Sequence, residues 1–539
     1  MRLIRPRIEM RGRRHQGSTA ALSIVGIMAL VALTACGSGG SKASASGSGS
    51  GSSSQGPITV GTGFYADSLN PALGESGGDY FELNMLYDTL LKINPTTGAL
   101  EPDLATAFQF EGPKDLEYAL TLRQGVTFQD GTAFNADAVK TSLEYFIHND
   151  AIGQLVPSQV ASIDVTGTYS LVIHLTQPLA SLPFLLADRA GMIISPAALA
   201  KYGSKGLSTH PVGAGPFSFA SEVPETSVTL KKYPKYWDAS SIHLSGVTFE
   251  YYASSITEFD AIKSGTIQIA ADLPGSDEKP SQADHSLKVE TGTDTGFDDI
   301  FFNLGMTPFN NLDVRLAFNE ALNRNAITNL TTSGLGHPGW GPYAPGYPYF
   351  DSAAVNAWPY NPAKAKKLLA AGGHPNGLNL TCYDYPGAEY ETAAPVILQD
   401  EAAIGIHINL ITETLSEAAT AFNIDGKAPC LFADWGSSFD AQTTLSELFG
   451  SDSYYNGGAE QKGKINYGVD SEINALSSAF TLSELKQGID NTLAGVAKTA
   501  SWAPLFFLPN FDVTASNVSG DAAEMLLNSD YESVSLTKG

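Results

Sequence analysis

Nine histidines are scattered along the 539 residues, and none stands in the H-E-x-x-H arrangement that places two imidazoles on one helical face around zinc. No G-x-x-x-x-G-K-[ST] run is present to cradle phosphates. Ser276-Asp277-Glu278-Lys279 satisfies S-x-x-K, but no S-D-N or K-T-G accompanies it, so it reads as a solvated charged loop. Paired acids such as Asp298-Asp299 are too common in an acidic chain to specify general acid–base work. His337 would need further convergent ligands to hold a metal. The residue types therefore predict no catalytic group, no metal and no cofactor, and leave noncovalent recognition as the chemistry to look for. For that task the candidates are loop aromatics: Tyr65 and Tyr80 before the first helix, and Trp340 in the loop 336–343. Each could cover a ligand or pack locally.

Cys36 carries a different chemistry. Six arginines (Arg2, Arg5, Arg7, Arg11, Arg13, Arg14) precede an apolar run over residues 20–33 that is too short to span a bilayer comfortably and has the form of a signal peptide. It ends in Leu33-Thr34-Ala35-Cys36-Gly37, which resembles the bacterial lipobox, in which the cysteine sulfur receives a diacylglyceryl group. Two acyl chains anchor stably, at roughly 0.8 kcal/mol per buried methylene. Residues 37–56 are a glycine and serine tract that behaves as a flexible coil, spanning about 25 Å in the root-mean-square sense. Residues 1–36 thus read as a lipoprotein signal with its acylation site, 37–56 as a tether, and the folded body begins near Pro57.

Periodicity supplies the elements that must position any site. Asp79 precedes a helix with Leu83, Leu86 and Leu90 on one face, and Glu82 stands three residues on, as in a capping box. Residues 116–122 alternate as a half-buried strand. Asp130-Gly131 marks a turn, and Asn135 caps a helix carrying Val139, Leu143 and Phe146. Leu171, Ile173 and Leu175 alternate again, making His174 a strand-face residue. Further on, strand 378–383, helix 391–404, strand 406–412, helix 415–423 and strand 429–435 alternate, which argues for βαβ units and a parallel sheet.

About 480 residues follow the tether, enough for two or more domains. The formal charge is −25 for the whole chain, and the basic leader leaves the remainder at about −30, a body that repels nucleic acid. Cys382 and Cys430 are too few for a disulfide framework; they form a bridge if their strands are neighbours and remain buried thiols otherwise.

Several segments carry a detailed resemblance. Tyr87-Asp88-Thr89-Leu90-Leu91, Glu101-Pro102-Asp103-Leu104-Ala105, the long run from Leu122 through Arg123, Gly125, Val126, Phe128, Asp130 and Gly131 to Asp137 and Val139, Pro211-Val212-Gly213-Ala214-Gly215-Pro216, Tyr236-Trp237, and Tyr360-Asn361-Pro362 with its following helix resemble the extracellular solute-binding proteins of family 5, the peptide, nickel and oligosaccharide receptors of ABC importers. The resemblance implies an α/β, two-lobe periplasmic-binding-protein-like fold of the large type II cluster, with mixed sheets flanked by helices and a ligand cleft between the lobes. It places 57–82, 208–296 and 500–539 in the main part of the first lobe, 83–207 in its extra subdomain and 297–499 in the second lobe. It also implies a monomer on the extracytoplasmic face of the membrane, which captures a small solute, an oligopeptide first and an oligosaccharide second, and delivers it to the permease subunits without any covalent step. A surface-anchored peptide or glycan hydrolase is the competing class.

The segment Asp434-Trp435-Gly436-Ser437-Ser438-Phe439-Asp440 resembles that family's W-x-x-D-Y-x-[DE]-P loop, where in peptide-binding members an aspartate accepts the ligand's α-ammonium. Here that position is Ser438, and a neutral hydroxyl does not replace a charged hydrogen bond worth on the order of 1.5–3 kcal/mol. Asp434 and Asp440 flank it as substitutes. The expected ligand contacts are Tyr65, Tyr80, Trp340, Asp434, Trp435, Gly436, Ser437, Ser438 and Asp440.

Overall fold

The computed structural model describes residues 56–539 apart from 75–78, 95–96, 152–154, 156, 272, 293–295, 348, 351–355, 386–387, 437–439, 454–467, 510, 521–530 and 538–539. Cys36, residues 37–55 of the tether, Ser437 and Ser438 lie outside the described residues. Three larger sheets organise the body.

The first sheet has seven strands, in the order Leu287–Thr291, Phe511–Ala515, Ile269–Ala270, Ile58–Thr62, Gly246–Tyr251, Ser227–Lys232 and Phe217–Val223. The second has six: His337–Pro338, Trp502–Phe507, Gly296–Phe302, Cys430–Gly436, Leu378–Asp384 and Ile406–Thr412. A four-stranded antiparallel sheet, built from Ala105–Glu111, Glu117–Leu122, Ser170–Leu175 and Val160–Gly167, forms a satellite of the first.

Two strand pairs connect the large sheets. Leu287–Thr291 pairs antiparallel with Phe511–Ala515 in the first sheet, and their continuations Gly296–Phe302 and Trp502–Phe507 pair antiparallel in the second. The chain therefore crosses twice, between Thr291 and Gly296 and between Phe507 and Phe511. The strands Ile58–Thr62, Gly246–Tyr251 and Ile269–Ala270 run parallel and end on the edge from which the chain crosses. In the second sheet Asp384, Thr412 and Gly436 end on the facing edge. That topology sets the two edges opposite each other and makes the short crossings the place where the lobes can hinge.

Both faces of the second sheet are covered, which explains its near-continuous apolar strands. Ile300, Phe302, Cys430 and Phe432 pack on one face with the helices Leu312–Ala321, Pro362–Ala371 and Ala388–Ile404. Phe297, Phe301 and Leu431 pack on the other with Ala441–Phe449 and Leu482–Thr499. The βα alternation read from the sequence appears here, with Leu378–Asp384 parallel to both Ile406–Thr412 and Cys430–Gly436. Cys382 and Cys430 lie on those neighbouring strands and are joined by a disulfide, with Cα atoms 4.8 Å apart. Asn135 caps the helix Ala136–Asn149, its side chain accepting from Ala138 N at 2.9 Å, with Val139, Leu143 and Phe146 buried beneath it. His174 sits on its strand with Asp164 3.2 Å away.

Three sequence readings change. Asp79 makes no capping bond, because its own backbone is helical (φ −65°, ψ −22°) and its carboxylate is engaged elsewhere; Glu82 likewise turns to a partner other than the helix end. Residues 278–283 form a short helix with Glu278 buried, rather than a solvated loop. The strand Trp502–Phe507, every residue of it buried, belongs to the second sheet, so sheet membership changes after Phe507 and not at residue 500.

Candidate functional site: the facing edges of the two lobes

The first-lobe edge is built by the loop that follows Ile58–Thr62 and by the helix Tyr80–Leu86. Tyr65, half-buried, donates its hydroxyl to Glu222 at 2.8 Å and packs edge-on against Tyr251 with ring centroids 4.8 Å apart. Tyr251 in turn donates to Glu82. Glu82 is fully buried and its Oε2 has no hydrogen-bond partner among the described residues. Burial pushes its carboxyl up to about 8, against the hydrogen bond from Tyr251.

A second network adjoins this one. Asp79 Oδ1 accepts from the Asp67 amide at 2.8 Å, and Asp79 Oδ2 meets Arg189 Nη1 at 3.4 Å, both side chains being buried. Burial and Asp67 push the Asp79 carboxyl up to about 7, with Arg189 pulling the other way. The Arg189 guanidinium lies 4.3 Å from the centre of the Tyr80 ring, and the Tyr80 hydroxyl donates to Asp188. Gly74 closes over the pair: a Cβ there would stand 2.1 Å from Asp79 Oδ2 and 2.3 Å from Arg189 Nη1.

The second-lobe edge is organised around Tyr385. Its hydroxyl donates to the Asp434 carboxylate and accepts from the Asp434 amide at 2.9 Å. Asp434 is exposed, Trp435 is half-buried with its ring edge-on to Phe301 at 6.3 Å, and Gly436 ends the strand with nothing within 4 Å of where a Cβ would stand. Behind them Asp299 is fully buried, held well above the usual carboxylate range by burial and then by Asp298 and Asp434.

Asp440 has a narrower part. It caps the helix Ala441–Phe449, accepting from Gln442 N at 3.1 Å with one oxygen and from the Thr443 hydroxyl with the other. It also lines a shallow pocket at the seam between the lobes, with Ser181 and Phe184 on the other side. Ala180 N donates to Ser477 O at 2.9 Å across that seam, and Phe110 meets Phe480 at 4.8 Å. Trp340 packs with Arg324, 4.9 Å from its ring centre, and lines a small pocket with Tyr343, Leu493 and Phe507. The structure thus brings Tyr65 and Tyr80 to one edge and Asp434, Trp435 and Gly436 to the other.

The profile of the bacterial extracellular solute-binding proteins, family 5, matches residues 99–456, two thirds of the sequence. The chain belongs to that family. Among its relatives are the glutathione-binding protein GsiB of Salmonella typhi, 29% identical over 417 residues (75% of this chain, 80% of that protein), and GsiB of Escherichia coli O1:K1 / APEC, 30% identical over 353 residues (63% and 67%). Solved structures repeat the two-lobe fold. The periplasmic binding protein DppA from Helicobacter pylori, in complex with the peptide STSA, superposes with a TM-score of 0.76 at 22% identity, covering 90% of this chain and 98% of that one. The oligopeptide-binding protein AppA from Bacillus subtilis, in complex with a nonapeptide, gives 0.75 at 19% identity, with 90% and 100% covered.

This family-5 protein is therefore a solute-binding protein of ABC importers that works outside the cytoplasm, and a binding protein rather than an enzyme. No helix among its described residues is long and apolar enough to cross a membrane. Residue-type reasoning missed Asp79, Glu82, Asp188, Arg189, Tyr251 and Tyr385. One signal was there to read: Asp188-Arg189 interrupts the otherwise apolar stretch 182–194, and charge in such a run implies a buried partner.

Proposed function

We propose that this binding protein is held at the membrane by lipid on Cys36, works as a monomer, and captures a short peptide in the cleft between the two lobe edges for delivery to its permease. The observation that carries this reading is the pairing of aromatic and acidic groups on both edges: Tyr65 and Tyr80 with Asp79 on one, Trp435 with Asp434 on the other. Tryptophan and tyrosine give contact area at low entropic cost, and the acids select for an amino group. A peptide bridging both edges binds the closed form more tightly than the open one and so draws the lobes together about the two crossings.

Mass spectrometry of material released from the purified protein on denaturation tests the ligand class. Peptides, glutathione among them, are the expected finding, and Trp435→Ala should weaken their binding by about tenfold, a hot-spot loss of a little over 1 kcal/mol. The serine at position 438 favours one second reading, an oligosaccharide held by neutral donors and aromatic faces, and recovery of sugars alone would replace the peptide reading with it. The anchor has its own test: labelled fatty acid should enter the protein, and Cys36→Ser should abolish incorporation.

A further inference from the structure

We infer that the first-lobe cluster of Asp67, Asp79, Glu82 and Glu222, walled by Tyr65, Tyr80 and Tyr251, is the seat of a cationic group of the ligand, so that the amino end is read by the first lobe and not at the loop around Ser438. Four observations carry it. The cluster lies on the edge from which the chain crosses to the second lobe, where strands Ile58–Thr62, Gly246–Tyr251 and Phe217–Val223 all end. Four carboxyls from three segments, Asp67, Asp79 with Glu82, and Glu222, meet there, with Asp188 adjoining, while Arg189 supplies a positive charge that is already held by Asp79 and by the Tyr80 ring. Glu82 is wholly buried within the cluster and its Oε2 has no hydrogen-bond partner among the described residues. Tyr65 is only half-buried and offers a π face that attracts a cation, while the Tyr80 ring is engaged by Arg189.

An acidic cluster of this kind repels its own charges, and an ammonium placed among them relieves that repulsion. Glu82 faces Asp79, Glu222 and Tyr251; Asp79 faces Asp67 and Arg189. Glu82, pushed up to about 8, holds a proton near neutral pH, whereas Asp79, pushed up to about 7 against the pull of Arg189, is divided between its two forms. A cation favours their ionised forms, so binding must release protons.

The inference rests on the peptide reading only for its choice of probes: tetraalanine, N-acetyl-tetraalanine, and spermidine as a cation without a peptide, each titrated calorimetrically at pH 7 in two buffers of different ionisation enthalpy. Tetraalanine should bind with net proton release, acetylation should weaken it roughly 10- to 100-fold, as loss of a charged hydrogen bond does, and Glu82→Gln should reduce the proton release. Asp67→Asn, at an exposed loop residue, should shrink the difference between the free and acetylated peptides and keeps the test open if Glu82→Gln fails to fold. Equal binding of the two tetrapeptides overturns the cationic seat while leaving the peptide reading in place. Binding of spermidine alone, with proton release, supports the seat and removes the peptide reading. Failure of all three probes overturns both.

Discussion

The two facing edges differ in what holds them. On the first lobe the polar groups are sunk among themselves: Asp79 and Arg189 are buried as an ion pair beneath Gly74, whose missing side chain leaves them room, and Glu82 is buried beside them with Tyr251 as its donor. On the second lobe Asp434 and Gly436 stand exposed, and what steadies them lies beneath, in a sheet packed on both faces and pinned by the Cys382–Cys430 bridge. One edge places charge through an internal network; the other displays single side chains on a rigid support. A network fixes both protonation and position, but it fails as a unit when one member is lost.

The largest effect that would separate the edges is Arg189→Ala. It leaves Asp79 buried without its ionic partner and should cost about 3–5 kcal/mol in urea denaturation. Next comes the second lobe's support. Cys382→Ala with Cys430→Ala opens a loop closed across 48 residues and should cost roughly 2–4 kcal/mol, measured the same way, while leaving the first-lobe network unchanged. Smaller and more diagnostic is a pair of single hydroxyl deletions. Tyr251→Phe strands an acceptor on fully buried Glu82 and should cost about 1–3 kcal/mol, whereas Tyr385→Phe frees an exposed carboxylate to water and should cost about 1 kcal/mol or less. Equal costs would erase the distinction drawn here.

A further effect lies in the pH dependence. The folded-state values of Asp79 and Glu82 are raised above those of the unfolded chain, so these groups add stability that is complete below about pH 4 and is lost as pH rises through about 7 and 8. Denaturation at pH 5, 6.5 and 8 should therefore show a decline that Glu82→Gln makes shallower. A variant declining as steeply as the parent would take Glu82 out of the account.

The second lobe was the more legible part of the sequence. Strand 406–412 was read to the residue, and strands 378–383 and 429–435 to within one residue at each end, because βα alternation is local and each strand announces itself by an apolar run between helices. The loop after Trp435 could be placed at a strand's end by the same means. The first-lobe network was not legible, since its members stand at 67, 79, 82, 189, 222 and 251 and nothing local joins them. Asp79 and Glu82 even carried the spacing of a capping box, a local signal that the fold overrode by offering each carboxyl a stronger partner.

By itself the sequence determined the family resemblance, which its motifs carry, and the alternation of the second lobe and the acidity of the body, which follow from short-range pattern and composition. Only the tertiary structure decided that Cys382 and Cys430 lie on neighbouring strands, that the strand from Trp502 belongs to the second sheet, and that an arginine inside an apolar stretch meets an aspartate 110 residues away. Those outcomes depend on which elements become neighbours in space, and burial then sets the charge and the partners of the groups they enclose.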